Sequence, residues 1–235
     1  MAVHAPNTTL SANDKRILNA LFDPETLPSS VAASKSTSVI DDALPSHPTI
    51  SPSQLSSLEA QQNEIVRHIT SSSSEASIEA SIKQEDEIIA KHTDYPSGYL
   101  NRAMLRRLKI ESNQKSISSA PEPDISAIFS DIARAIKTAL SSSPNSSVSA
   151  YQARILRTAH SHRAYIYLKA AEPGSQWRGK GKSELEELAS ADFAAAARFG
   201  DEVAREMSVR TNPYAKMCGA IVRNALAEER KDVLD

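Results

Sequence analysis

Apolar residues recur at three- and four-residue intervals through most of the chain after residue 52, which is the spacing of one face of a helix. The pattern predicts eight helices, at 53–70, 75–92, 98–109, 124–140, 148–171, 183–199, 201–209 and 213–230. No stretch alternates apolar and polar residues for long enough to predict a strand. We therefore predict an all-α protein.

The first 52 residues have a different character. They hold half of the 12 prolines together with many serines and threonines, and such a segment buries too little apolar surface to offset its ordering entropy. We expect a mostly disordered tail, with no regular structure at 27–50. The exception is a short amphipathic helix at 12–22, expected to pack on the helical body through Ile17, Leu18, Leu21 and Phe22.

An internal repeat with a period of 61 residues organises the helical part. Its clearest members are Arg102, Ala103, Asp131 and Ala135, which recur as Arg163, Ala164, Asp192 and Ala196. Each unit is a helix, a long loop and a second helix. Because the middles of two antiparallel helices lie level, we predict that Arg102 contacts Asp131 and that Arg163 contacts Asp192, each through two hydrogen bonds.

The spacing within each unit resembles the tetratricopeptide repeat. His160-x2-Arg163-Ala164-x2-Tyr167 fits the first helix of that motif, and Ala189-x3-Phe193-x2-Ala196 fits the second. We predict an α-solenoid of three such helix pairs, at about 53–96, 97–142 and 148–200, followed by a capping region at 201–230.

Four blocks occur in the order found in one family, tetratricopeptide repeat protein 36, which the chain resembles. They are NDKRILNALFDPETL (13–27), SGYLNRAMLRRL (97–108), DISAIFSDIARAI (124–136) and DFAAAARFG…NPYAKMC (192–218). The resemblance implies a small intracellular protein with three repeats and no known catalytic centre. Repeats of this kind usually bind peptides or partner proteins.

The last predicted helix begins with a good capping residue, Asn212, and has Pro213 at its first position, where the missing N–H costs nothing. An apolar stripe follows, which we expect to be buried as the cap of the third pair; it is formed by Tyr214, Met217, Cys218, Ile221 and Val222. Cys218 is therefore expected to be a core residue rather than a nucleophile.

Composition and motifs limit the kinds of functional site that the chain can form. A single cysteine excludes an internal disulfide and a cysteine-based zinc cage. The chain has no phosphate-binding, dinucleotide-binding or hydrolase motif, and His160 and His162 are spaced to point away from each other on a helix. No apolar run reaches the length of a membrane span, and the amino terminus has no signal-peptide pattern. We expect a cytoplasmic, or alternatively nuclear, protein that is not an enzyme and uses no cofactor or metal.

Function is predicted to reside on the inner face of the first helices. The residues placed there are Asn101, Met104 and Arg107 in one unit and His162, Tyr165 and Lys169 in the next. Amide, cationic and aromatic groups together suit a peptide that carries carboxylate and apolar groups. We therefore expect an adaptor or scaffold that holds a partner protein or peptide in a concave groove.

The alternative function rests on a basic loop, Gln176–Lys182, which holds the only tryptophan beside three cations. Trp177 could stack on a base while the cations meet phosphates, which would make the protein an accessory to nucleic acid or another polyanion. Otherwise Trp177 packs against the repeat and the loop is solvated. Residues 99–235 carry a net charge of only +5, which is too mild to favour nucleic acid by electrostatics alone.

Overall fold

The structure is a computed structural model, which describes residues 40–112, 116–140, 147–172, 174 and 176–232. These residues contain eight α-helices and no β-strand, so the all-α prediction is confirmed. The helices are α1 (Pro52–Val66), α2 (Glu75–Lys91), α3 (Pro96–Ser112), α4 (Glu122–Ala139), α5 (Ala150–Ala170), α6 (Lys182–Arg198), α7 (Glu202–Thr211) and α8 (Pro213–Asp232), with a 3₁₀ turn at Ile117–Ser119.

Serine side chains begin three of these helices. Ser51, Ser74 and Ser149 each accept a hydrogen bond from a backbone N–H of the first turn of α1, α2 and α5, which satisfies a donor that the helix leaves free. α1 ends at Val66 rather than at the predicted residue 70. There the Ser73 hydroxyl accepts the Thr70 N–H at 2.9 Å, because serine side chains compete for backbone groups and favour turns.

The described residues between Ile40 and Thr211 form one compact unit, and α8 belongs to a second one. In the first unit each helix from α1 to α7 packs against the next, and α3 also contacts α5. The alanines that recur with the 61-residue period are all fully buried; they are Ala103, Ala135, Ala164 and Ala196. Small side chains at these positions allow the paired helices to approach closely.

Each arginine of the 61-residue repeat binds the aspartate of its own repeat unit. Arg102 donates to Asp131 from Nε at 3.0 Å and from Nη2 at 2.5 Å, and Arg163 donates to Asp192 at 2.7 and 2.6 Å. Both aspartates are buried. The expected two-point contacts are therefore present in both units, joining α3 to α4 and α5 to α6.

One further side chain contacts each aspartate, and it differs between the two repeat units. Arg106 Nη1 lies 2.6 Å from the second oxygen of Asp131, whereas His160 Nδ1 lies 2.9 Å from Asp192. Burial would raise the pKa of Asp192, but the hydrogen bonds from Arg163 and His160 outweigh it and hold that pKa below its ordinary value. Asp192 therefore remains a carboxylate.

Residues 40–51 lie against the helical body although they contain no helix. Asp41 N donates to the Val148 carbonyl at 2.9 Å, and the buried His47 ring accepts the Ile50 N–H at Nδ1 (3.1 Å) while Nε2 lies 3.1 Å from the Asp94 carbonyl. Burial lowers the pKa of His47, which matches an Nδ1 that must stay unprotonated to accept. The predicted helix at 12–22 and most of the predicted tail lie outside the described residues.

α8 begins as expected, with the Asn212 side chain accepting the Tyr214 N–H at 2.9 Å. The prediction that its apolar stripe is buried is wrong. Tyr214, Met217 and Ile221 are 59%, 54% and 61% exposed, Cys218 is exposed as well, and Val222 is half-buried. Helical spacing identifies which face of a helix is apolar, but it does not specify a surface that covers this face.

Candidate functional site

Helices α1, α3 and α5 meet on one side of the helical body. The Arg154 guanidinium of α5 forms an ion pair with Glu59 of α1, and Arg107 of α3 donates from Nε to His162 Nε2 of α5 at 2.9 Å. These contacts bring α1, α3 and α5 together as neighbours.

A row of four α5 residues at four-residue spacing lies on this side, formed by Arg157, Ser161, Tyr165 and Lys169, and it is called the α5 row here. At 1.5 Å per residue the row is about 18 Å long. Its two end cations are exposed, and Tyr165 and Ser161 between them are half-buried. Arg157 has no carboxylate partner within the described ranges, whereas Arg154 beside it is paired with Glu59.

Two cations flank the Tyr165 ring in the α5 row. The Arg107 guanidinium carbon is 4.8 Å from the ring centroid, and Lys169 Nζ is 5.5 Å from it. Arg107 is fixed further by Glu111, whose Oε2 lies 2.6 Å from Nη1, and the other Glu111 oxygen accepts from the Tyr165 hydroxyl at 3.2 Å. The result is a preorganised aromatic and cationic surface.

His162 supports this surface from beneath. Its side chain is only 6% exposed, and burial together with the nearby Arg107 charge lowers its pKa to about 3. The ring is therefore neutral, accepts from Arg107 at Nε2 and carries its proton on Nδ1, which has no hydrogen-bond partner. His162 orients Arg107 rather than presenting itself to a partner.

The structure brings together three of the six predicted groove residues, Arg107, Tyr165 and Lys169. Met104 packs partly buried against the core, and Asn101 donates to Glu85 Oε1 at 3.4 Å. Arg157 and Glu111 were missed, although spacing from Tyr165 by multiples of four could have indicated Arg157, and spacing from Arg107 by four could have indicated Glu111.

The face continues into a depression of about 700 Å³ between α1, α5 and residues 40–46. Its charged lining consists of Asp42, Glu59, Arg154 and Arg157. Arg157 thus belongs both to this depression and to the α5 row.

A buried acidic side chain lies beside Asn101. Glu85 of α2 is fully buried and accepts from Gln62 Nε2 of α1 at 2.8 Å, while the Tyr95 hydroxyl donates to Gln62 Oε1 at 2.8 Å. Burial raises the pKa of Glu85 to about 7, although the hydrogen bonds from Gln62 and Asn101 act in the opposite direction. This network joins α1, α2 and α3.

The stability of the protein should therefore depend on pH through Glu85. Its folded pKa of about 7 lies above the ordinary 4.5, so the folded state binds more protons, and this stabilisation is lost as the pH rises from about 5 to about 8. At about 1.4 kcal/mol per pKa unit, the free energy of unfolding should fall by up to about 3 kcal/mol over this window. In urea unfolding, Glu85→Gln should remove that decline because glutamine has no titrating carboxyl group, and Asn101 can turn its amide to keep a hydrogen bond to it.

Glu87→Gln on the exposed side of the same helix is the matched control and should keep the wild-type pH dependence. An equally steep decline in Glu85→Gln would show that another group is responsible.

The Trp177 ring is buried, at 6% exposure. It packs 6.0 Å from the Phe129 ring and 6.4 Å from the Tyr167 ring, and Arg178 beside it pairs with Glu122 at 3.0 Å. Because the ring fills an aromatic cluster between α4 and α5, it is not available to stack on a base.

The described residues also contain no group of three or more His, Cys, Asp or Glu arranged to hold a metal ion, and no helix in these ranges is long and apolar enough to cross a bilayer.

Comparison with known proteins finds a relative that matches nearly the whole chain. No protein-family model and no solved structure matches it. Over 39 residues, 17% of this chain and 21% of the relative, it is 51% identical to the tetratricopeptide repeat protein 36 homolog of Drosophila melanogaster, so that resemblance is supported for a short stretch only. It is 40% identical over 251 residues to the L-tyrosine degradation gene cluster protein hmgX of Aspergillus fumigatus, covering 96% of this chain and 95% of the relative. The chain therefore belongs to the same family as hmgX.

Proposed function

We propose that this protein is a non-catalytic adaptor that serves L-tyrosine degradation by binding a partner protein on the face that carries the α5 row. The observation that carries the proposal is the α5 row itself, in which exposed cations flank a tyrosine ring that Arg107 and Glu111 hold in place. The pathway is suggested by the name of the Aspergillus fumigatus relative.

The helical arrangement supports a binding role. We infer that α1–α2, α3–α4 and α5–α6 are three tetratricopeptide-like pairs with the first helices inside. Three features support this inference: helices pack in sequence order, the first helices are neighbours, and a short segment matches a tetratricopeptide repeat protein. Repeats of this kind use the inner face as an extended binding surface.

The chemistry of the face suggests the kind of segment that it binds. Arg157 and Lys169 stand about 18 Å apart along the helix with the Tyr165 ring between them. An extended or helical peptide with two acidic side chains that flank an apolar one would pair with both cations and cover the ring. We therefore propose that the partner presents an acidic segment with a central apolar residue.

Charge reversal of the two end cations tests the proposal. The double variant Arg157→Glu/Lys169→Glu should weaken partner binding by at least about tenfold, equivalent to about 1.4 kcal/mol, since like charges then oppose the partner's acids. The measurement is quantitative co-purification, read by mass spectrometry, from cells of the source organism that grow on L-tyrosine.

The matched control is Lys91→Glu/Lys137→Glu, which makes the same change in charge at exposed positions of α2 and α4. It should co-purify the same partner as wild type. Equal recovery by both double variants would remove the α5 row from the binding site, and loss in both would point to net charge instead.

A further inference from the structure

The exposed stripe on α8 is an apolar feature that the proposed binding face does not use. Tyr214, Met217 and Ile221 are each more than half exposed, and the exposed Cys218 lies among them. They follow one another at intervals of three and four residues, so they form one continuous strip. Contiguous exposed apolar surface on a soluble protein usually marks a contact site.

The chain contains a segment with matching chemistry at 11–22, outside the described residues. Its apolar positions fall on one helical face; they are Ile17, Leu18, Leu21 and Phe22. Ser11 with Asp14 three residues later fits a helix start. A helix of about 12 residues is marginal on its own and gains its stability by packing its apolar face.

The connection allows the segment to reach α8. Ile40 is held by a bridge to Val148, and its Cδ1 lies 3.9 Å from the position of a Cβ built on Gly200, at the turn before α7. From that turn the ten residues of α7 rise about 15 Å before α8 begins. The stretch from Phe22 to Ile40 can extend to about 60 Å, which is several times that rise.

We propose that residues 11–22 pack as a helix, in the same molecule, on the Tyr214–Met217–Ile221 stripe of α8. A tether of this length gives an effective concentration in the millimolar range, which favours the segment over a second chain at micromolar concentration. A specific dimer also buries about 800 Å² on each partner, more than a strip of four side chains on one helix provides. The amino-terminal segment thereby covers the carboxy-terminal helix.

The single cysteine of the chain provides the test. In the full-length protein, Leu21→Cys places a second thiol on the apolar face of the segment, which the proposal packs on the stripe that contains Cys218. Mild oxidation at micromolar protein concentration should link the two thiols within one chain, so that the product stays monomeric and loses both reactive thiols. Asn19→Cys is the matched control, because it lies on the other side of the same helical segment and should keep its thiols free.

A second variant checks the contact without a cross-link. Leu18→Asp/Phe22→Asp should increase the rate of Cys218 alkylation severalfold while the circular dichroism of the helical body stays that of wild type. Equal cross-linking by Leu21→Cys and Asn19→Cys would overturn the proposal, as would an unchanged alkylation rate. A disulfide-linked dimer of the wild-type chain through Cys218 would overturn it in favour of a second copy.

Discussion

Replacing Trp177 with alanine is expected to lower the free energy of unfolding by about 3–5 kcal/mol, the usual cost of removing a large buried aromatic side chain. The ring contacts both Phe129 of α4 and Tyr167 of α5. Its loss would open a cavity between α4 and α5. Trp177 is the only tryptophan, so the variant has no tryptophan fluorescence to follow. Urea unfolding is therefore followed by circular dichroism.

Two further variants distinguish this packing role from a solvated loop. Trp177→Phe should recover most of the loss because it keeps a ring against Phe129 and Tyr167, and Gln176→Ala at the exposed neighbour should change stability little. A loss within about 0.5 kcal/mol for Trp177→Ala, the range of ordinary surface substitutions, would show that the ring does not hold α4 and α5 together.

Asp131→Ala is expected to cost about 3 kcal/mol, at the lower end of the range for breaking a buried ion pair. Arg102, whose side chain is 16% exposed, and Arg106 both lose their shared carboxylate. The cost is moderated because Arg102 keeps a second partner, Asp86, at 2.6 Å. Chemical unfolding at neutral pH is the appropriate measurement.

The exposed Asp124 in the first turn of the same helix provides the control, since Asp124→Ala removes an acid that holds no buried cation. The triple variant Arg102→Met/Arg106→Leu/Asp131→Leu should recover much of the stability, because apolar residues often replace buried ion pairs at little cost. If Asp131→Ala is no worse than Asp124→Ala, the buried cluster does not stabilise the pair of helices.

The arginine–aspartate contacts could be predicted because a repeat provides two copies of one geometry. A pair that recurs 61 residues later, on helices that pack antiparallel, has to meet in both units or in neither. The additional partner of each aspartate could not be predicted, because Arg106 and His160 occupy different positions of their repeat units. Which of them reaches the aspartate depends on side-chain packing that the repeat does not specify.

The buried Glu85 escaped prediction for a related reason. The acidic stretch around it favours a solvated helix face, and only the packing of α1 and α3 against α2 brings Gln62 and Asn101 within reach of its carboxylate. Asn101 was consequently predicted to face a partner, whereas it is turned toward an acid of its own chain. Long-range polar contacts of this kind have no local sequence signal.

The stripe on α8 shows a different limit. Its spacing predicted an apolar face correctly, but burial requires a second surface, and the helix pattern contains no information about one. Residues 40–51 show the converse case, because their proline-rich composition predicts no regular structure. The contacts of His47 nevertheless hold this stretch against the helical body.

Site-specific photo-cross-linking in cells that degrade L-tyrosine tests the central claim most directly. A photoreactive amino acid at Arg157 should form a covalent product with one partner protein that acts in L-tyrosine degradation, and the same amino acid at the exposed Lys137 of α4 should not. Identical products from both positions, or no product from Arg157 while the protein is folded and expressed, would contradict the account.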